Sequence, residues 1–162
     1  MVAFHGVTMT YDFRELLGMS APIDRVGLVV ERGADGVRAN VSHVVWHSPG
    51  GLDFGRSGPG AADLALSVMC ALIPPPTTEN ERRAWNLKGI ARRVADADDA
   101  LWSLKTPQGM RISKLAWTLH DLFMRTFVMT MKEDVRHLPV EIMRSWIDMQ
   151  VQGMRDRADM GR

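Results

Sequence analysis

Cysteine is nearly absent from this sequence of 162 residues, in which Cys70 is the single thiol. One thiol can form neither an internal disulfide nor a cluster of thiolate metal ligands, so both are excluded as sources of stability. Cys70 falls within a nearly all-apolar segment. The sequence therefore predicts a small core residue at this position rather than a nucleophile.

Long apolar runs are also missing. No stretch approaches the roughly 18 consecutive apolar residues of a membrane span. The start, MVAFHGVTMT, lacks the charged and apolar parts of a signal peptide, so we expect a cytoplasmic protein without membrane contact. With 46% apolar and 24% charged residues, the chain can build one hydrophobic core, which predicts a single domain over residues 1–162.

A large net charge is the third absence, since the formal charge is +1. This value argues against a strongly basic nucleic-acid binder and against an acidic nucleic-acid mimic. Basic residues nevertheless cluster in one predicted helix, at Arg82, Lys88, Arg92 and Arg93. Acidic residues are interleaved with them, so a solvated mixed face is the simpler interpretation and nucleic-acid contact is the alternative.

The chain is organised around the stretch from Trp46 to Leu72, where a Gly- and Pro-rich loop runs into a nearly all-apolar helix. Pro59 suits the first helical turn, and Asp63 places a carboxylate near the positive end of the helix. Leu64 and Val68 share one face at helical spacing. A helix that is apolar on most sides belongs inside the domain, so this one is predicted to be central and largely buried.

Strands are predicted before this helix and further helices after it. The runs GLVVE and VRANVSHVVW flank a turn containing Asp35-Gly36, which predicts a hairpin with a bulge near Ser42. Val2–Met9 reads as β-rich, and residues 11–17 could be helical. Three helices are predicted from Thr78, from about Ile112 to Lys132, and after Leu138-Pro139. The predicted class is α+β: a small antiparallel sheet packed on about four helices, with a frayed tail at residues 155–162.

Several short motifs surround the start of the central helix, namely His47-Ser48-Pro49, Gly51-Leu52-Asp53-Phe54-Gly55, Ser57-Gly58-Pro59 and Ala62-Asp63-Leu64-Ala65-Leu66. Together they resemble the signature of an uncharacterised family of small bacterial, plasmid and phage proteins. Later parts of the family pattern are similar to Phe123-Met124-Arg125, Leu138-Pro139, Ile142 and Trp146-Ile147. Where the family usually has Trp-Gly-Tyr, this chain has Phe54-Gly55-Arg56. Against the family pattern, residues 78–113 look like a helical insertion. The resemblance brings no established activity and implies only a mobile-element setting.

One candidate anion site precedes the central helix. Arg56, Ser57 and Gly58 could hold a phosphate or carboxylate through backbone N–H groups and the guanidinium. The segment lacks the Lys-Ser/Thr ending of a phosphate-binding P-loop and matches neither the dinucleotide fingerprint nor a nucleophile elbow. A capped turn without a ligand is the simpler interpretation. Anion binding is the alternative, and with it a small enzyme acting on an anionic substrate at Gly55–Pro59.

A methionine-rich stripe on the third predicted helix is a candidate partner surface. Its members are Trp117, Met124, Val128 and Met131, beside a predicted core line of Ile112, Ala116, Leu119, Phe123 and Phe127. Packing of the stripe on the fourth helix or the sheet is the simpler interpretation. A partner surface is the alternative, because unbranched Met side chains adapt to imperfectly matched partners.

These features favour a non-enzymatic interaction protein over the nucleic-acid and enzyme alternatives. His47, Ser48 and Asp53 are residue types of a proton relay, but no convergent catalytic set accompanies them. The histidines are too scattered to predict a metal site, and no motif predicts a cofactor. We expect a host protein or protein complex as partner, such as a defence system that this protein inhibits, and self-association is possible.

Overall fold

The computed structural model describes residues 2–4 and 7–9 as backbone, and residues 21–85 and 98–161 with side chains. The strands are β1 Val2–Phe4, β2 Val7–Met9, β3 Leu28–Gly33, β4 Gly36–Ala39, β5 Ser103–Lys105, β6 Arg111–Ser113 and β7 Val135–Leu138. The α-helices are α1 Ile23–Val26, α2 Pro59–Leu72, α3 Glu79–Ala84, α4 Lys114–Phe123 and α5 Val140–Met160. The predicted α+β class is confirmed.

The main sheet is antiparallel and has the strand order β4-β3-β7. The predicted hairpin is confirmed, with Gly33 opposite Gly36 across a two-residue turn. Its second strand ends at Ala39, however, so the ladder stops before the bulge predicted near Ser42. Asn40 explains the early end, because its side chain accepts from Val29 N at 2.8 Å and donates to Gly27 O at 2.8 Å. Asn40 N still donates to Val29 O at 3.2 Å, and the side-chain hydrogen bonds of Asn40 replace the backbone bonds beyond that point.

The central helix is α2, as the sequence predicts. Nine of its side chains are buried, namely Ala61, Asp63, Leu64, Ala65, Leu66, Ser67, Val68, Met69 and Leu72. Its contact with α4 is the most extensive between helices, and Leu64 and Val68 lie in one core with Leu28 and Val30 of the sheet. Val44, Leu66 and Ile112 form a smaller second core. Residues of α2 thus take part in both hydrophobic cores.

The region after α2 differs from the sequence predictions. Helix α3 starts where the sequence predicts, since Thr78 caps it through a capping box with Glu81, and the helix is described as far as Ala84. The helical character predicted for residues 78–113 is wrong at 103–113, where β5 and β6 form a hairpin. Ile112, placed on the third helix from the sequence, lies in β6. Whether residues 78–113 form an insertion stays a prediction.

The last two helices also have different bounds from those predicted. Helix α4 ends at Phe123 and passes into a π-helical turn over Met124–Val128. Helix α5 begins after Pro139, as predicted, and continues to Met160. Arg155 contributes to this extension, because it donates a hydrogen bond to the Ala84 carbonyl oxygen. Whether residues 155–162 fray stays a prediction. None of the helices described in residues 21–85 and 98–161 is long and apolar enough to cross a membrane.

Candidate functional site

Asp63 is a fully buried carboxylate near the N-terminus of α2, whose other buried residues are all apolar except Ser67. Its two oxygens accept hydrogen bonds from three consecutive backbone N–H groups of the preceding loop, at Trp46 (3.2 Å), His47 (2.8 Å) and Ser48 (3.0 Å). His43 Nε2 lies 2.9 Å from Oδ2 of the same carboxylate. The loop over residues 43–48 is therefore folded around one side chain of the central helix. We call it the anchored loop.

The carboxylate is anionic in this setting. Burial raises the pKa of Asp63, but hydrogen bonds from His43 and from the three backbone N–H groups outweigh burial, and the pKa lies below its ordinary value. Consecutive N–H groups that converge on one anion form a concave backbone cradle. Here the anion belongs to the protein itself.

Ser67, one turn after Asp63, extends the same polar connection. Its Oγ accepts from Val44 N at 2.8 Å and donates to the Asp63 carbonyl oxygen at 2.6 Å. Both interactions are buried, so Ser67 joins Val44 of the anchored loop to α2, beside the bonds from His43, Trp46, His47 and Ser48 to Asp63. Such buried, satisfied polar contacts fix a single arrangement of the chain.

Four rings lie in contact where the anchored loop meets α4. The ring cluster consists of Trp46, His47, Trp117 and His120. The centroids of Trp46 and Trp117 are 4.1 Å apart, and those of Trp117 and His120 are 4.6 Å apart. The His47 ring stacks on Trp117 at 5.9 Å and on His120 at 5.6 Å. His47 is exposed, both tryptophans are partly buried, and His120 is buried.

His120 is held in this cluster by its Nδ1, which bonds the Trp117 carbonyl oxygen. Burial lowers the pKa of His120, the Trp117 carbonyl raises it, and the nearby His47 lowers it further, with a net value below the ordinary one. His120 is therefore neutral near pH 7 and packs as an aromatic ring.

A second carboxylate, Asp53, stands at the predicted anion site. It accepts from Arg56 Nε at 2.6 Å and from Arg32 Nη1 at 3.0 Å. Burial raises the pKa of Asp53, but hydrogen bonds from Arg56, Arg32 and the Phe54 N–H lower it below its ordinary value. Arg56 thus already pairs with a carboxylate of the chain, which favours the capped turn over anion binding at Arg56, Ser57 and Gly58. Gly58 caps α2 without a side-chain hydrogen bond.

The predicted methionine-rich stripe does not form a free surface. Val128 is fully buried and Met131 is 5% exposed, and both belong to the main core. Met124 is partly buried and packs against the same core. The π-helical turn at Met124–Val128 rotates the chain away from α-helical register, so spacings counted at 3.6 residues per turn fail there. The stripe is wrong as a partner surface at Val128 and Met131, whereas Trp117 joins the ring cluster.

Of the four basic residues proposed for nucleic-acid contact, the structure describes only one. Arg82 lies on α3 with Arg83, whose guanidinium pairs with Glu79, while Lys88, Arg92 and Arg93 lie outside the described residues.

Burial raises the pKa of the Cys70 thiol to about 12, consistent with the predicted packing role. Within residues 21–85 and 98–161, no group of three or more His, Cys, Asp or Glu residues could hold a metal ion.

Sequence reasoning missed the anchoring role of Asp63 and the pairing of His47 with His120. The available signal was an Asp on an apolar helix, followed at helical spacing by Ser67, after a loop containing two histidines. Comparison of the chain with protein-family models, curated proteins and solved structures finds no match in any of the three. The family resemblance seen in the sequence therefore stays a prediction.

Proposed function

We propose that this chain is a non-enzymatic interaction protein that recognises a protein partner through the ring cluster. The observation that carries the proposal is the anchored loop, which holds Trp46 and His47 against Trp117 through backbone bonds to a buried carboxylate. A loop fixed before binding loses little conformational entropy when a partner docks, which improves affinity.

The residue types of the cluster suit protein recognition. Trp is enriched among the residues that dominate binding energy at interfaces, because it combines a large apolar area with a polar N–H. His47 is exposed and Trp46 and Trp117 are partly so. The tryptophans also pack against the smaller core of Val44, Leu66 and Ile112, which gives the surface a rigid base.

The polar groups nearest the cluster favour this proposal over catalysis. His43 Nε2 and Asp63 Oδ2 lie within hydrogen-bond distance, as in a proton-relay pair. The two oxygens of Asp63, however, also accept hydrogen bonds from three backbone N–H groups. The neighbouring Ser67 hydroxyl already donates to a main-chain carbonyl oxygen, and the raised pKa of Cys70 keeps its thiol protonated. The Asp63 carboxylate and the Ser67 hydroxyl thus hold the anchored loop in place.

The predicted mobile-element setting extends the proposal to the partner. A small protein of that setting, with an interaction surface and no catalytic set among its described residues, suits the role of modulating a host protein complex, such as a defence system. This part of the proposal is supported by the sequence resemblance alone.

The test is affinity capture from the lysate of the native host with His47→Ala. That change removes an exposed ring and leaves the His47 N–H bonded to Asp63, so the loop and the melting temperature should be retained. We expect the wild-type chain to capture a partner that survives nuclease treatment, and His47→Ala to lose it. A photo-crosslinking amino acid at position 47 should attach to that same partner.

Leu122→Ala is the matched control, since Leu122 is also exposed, at 39%, but lies outside the ring cluster. This variant should capture the partner as the wild type does. Equal capture by His47→Ala would contradict the proposal. Loss of every captured partner on nuclease treatment would favour the nucleic-acid alternative instead.

A further inference from the structure

A cavity lies between α1, the start of the anchored loop and the second half of α2. Its volume is about 350 Å³, near the lower end of the roughly 300–1,000 Å³ of known ligand sites. We call it the α1–α2 cavity. The lining residues that matter here are Ile23, Asp24, Ser42, Val44, Ser67 and Cys70. None of the four rings of the ring cluster is among the described residues that line it, so this inference does not depend on the proposed function.

Hydrogen bonds hold the walls of the α1–α2 cavity in place. Asn40, which also lines the cavity, donates to the carbonyl oxygens of Ala21 at 3.1 Å and Gly27 at 2.8 Å, so the chain is fixed on both sides of α1. On the opposite wall, the Ser67 hydroxyl accepts from Val44 N at 2.8 Å. A cavity with walls fixed in this way is formed before a ligand enters, and binding orders little of the protein.

The lining is mainly apolar. Seven of the twelve described residues that line the cavity are Ala, Pro, Ile, Val or Met. Ile23 and Val44 are buried and offer a fixed apolar surface. The half-buried Cys70 adds no charge, because burial raises the pKa of its thiol. This lining suits a ligand with an apolar body.

Asp24 is the only charged residue among the described residues of the lining. Its carboxylate is exposed and forms no ion pair with any part of the chain that the structure describes. The exposed Ser42 hydroxyl is also without a hydrogen-bond partner among the described residues, whereas Asn40 and Ser67 are already bonded within the protein. The polar groups left for a ligand are therefore one anionic acceptor and one hydroxyl.

We propose that the α1–α2 cavity binds a small organic cation, which consists of an ammonium group on a short apolar body. The body lies against Ile23 and Val44, and the ammonium group donates to Asp24 and Ser42. An ammonium group has three donors and no acceptor, which matches these two oxygen-bearing side chains. No cationic residue is described in the lining, so an anionic ligand would meet only repulsion from Asp24.

The first test is isothermal titration of the full chain with phenethylamine and with 3-phenylpropanoate, which carries the same phenethyl body on a carboxylate. We expect saturable binding of the amine with a Kd on the order of 1 mM or below. The carboxylate should bind at least about tenfold more weakly, because repulsion by Asp24 replaces attraction.

Asp24→Asn should remove this preference for the amine without lowering the melting temperature, since Asp24 is exposed. Asp35→Asn is the matched control, because Asp35 is an exposed carboxylate on the β3–β4 turn, outside the cavity. This variant should bind the amine as the wild type does.

Cys70 reports where the amine binds. It is the single thiol of the chain and lines the cavity, so its rate of modification by methyl methanethiosulfonate follows access to this site. Saturating phenethylamine should slow that modification. The proposal would be overturned by the absence of saturable amine binding, by equal affinity for the carboxylate, by an unchanged preference in Asp24→Asn, or by an unprotected Cys70 at saturating amine.

Discussion

The backbone N–H of His47 donates to Oδ1 of Asp63 over 2.8 Å, across sixteen positions of sequence. The ring of the same His47 stacks on His120 of α4 at 5.6 Å. One residue thus joins the central helix through its backbone and the neighbouring helix through its side chain. The position of the exposed ring is therefore set by a buried charge.

Replacing Asp63 by Asn should destabilise the protein by about 2–4 kcal/mol. The Asn amide nitrogen would face N–H donors where Asp63 offers only acceptors, which leaves buried donors without partners. Denaturant unfolding of the two proteins measures this difference in the free energy of unfolding.

Asp121→Asn is the control for that comparison. Asp121 pairs with Arg125 on the exposed side of α4, and exposed pairs of this kind contribute about 0–1 kcal/mol. If the two variants lost the same stability, Asp63 would not be the anchor of the loop.

Gly60→Ala should destabilise the fold by about 1–3 kcal/mol. A Cβ at position 60 would stand 2.9 Å from the Asp53 Cβ and 3.0 Å from the Asp53 backbone nitrogen. Such overpacking against the backbone of Asp53 forces the segment that precedes α2 away from the helix.

Gly50→Ala serves as the comparison for Gly60→Ala, because nothing lies within 4 Å of a Cβ at Gly50 in the same loop region. It should change the thermal midpoint little. An unchanged thermal midpoint for Gly60→Ala would mean that the segment around Asp53 does not pack closely on α2.

The fold was predictable from the sequence where its pattern is local. The apolar residues of α2 repeat at helical spacing, Pro59 marks its first turn, and the hairpin carries its own turn signal. The capping box at Thr78 is equally local, because the four residues that form it are consecutive.

Contacts between distant parts of the chain were not predictable in this way. Strand β7 pairs with β3, so that Leu138 lies opposite Leu28, and nothing in the run Val135–Leu138 specifies that partner. Val128 and Met131 are buried in the core, although their helical spacing with Met124 predicted one shared face. The π-helical turn over Met124–Val128 breaks that spacing. The role of Asp63 depends on residues 46–48 folding back onto α2. The spacing of residues in the sequence does not predict that contact.

Stability should fall as the pH decreases from about 6.5 toward 5, with His120 as one source. The pKa of His120 lies below its ordinary 6.5 in the folded protein. Below about pH 6.5 the unfolded chain therefore takes up this proton first, and the stability that neutral His120 contributes is lost until the folded pKa is passed. His47 lowers the pKa of this ring, whereas Asp121 and Asp63 raise it.

His120→Phe separates this effect from other titrations, since it keeps a ring in the cluster without a titrating group. The free energy of unfolding measured between pH 5 and pH 7 should vary less steeply in this variant than in the wild type. The same slope in both proteins would assign the pH dependence to other groups. Asp63 does not interfere, because its lowered pKa places its loss of stability below about pH 4.

Amide hydrogen exchange at Trp46, His47 and Ser48, followed by NMR in the wild-type protein, tests the central claim most directly. If the Asp63 carboxylate holds the anchored loop, these three amides should exchange at least about 100-fold more slowly than the Gly50 amide, although they lie in a surface loop. In Asp63→Asn their protection should disappear while the amides of α5 stay protected. Exchange of the three wild-type amides as fast as that of Gly50 would contradict the account.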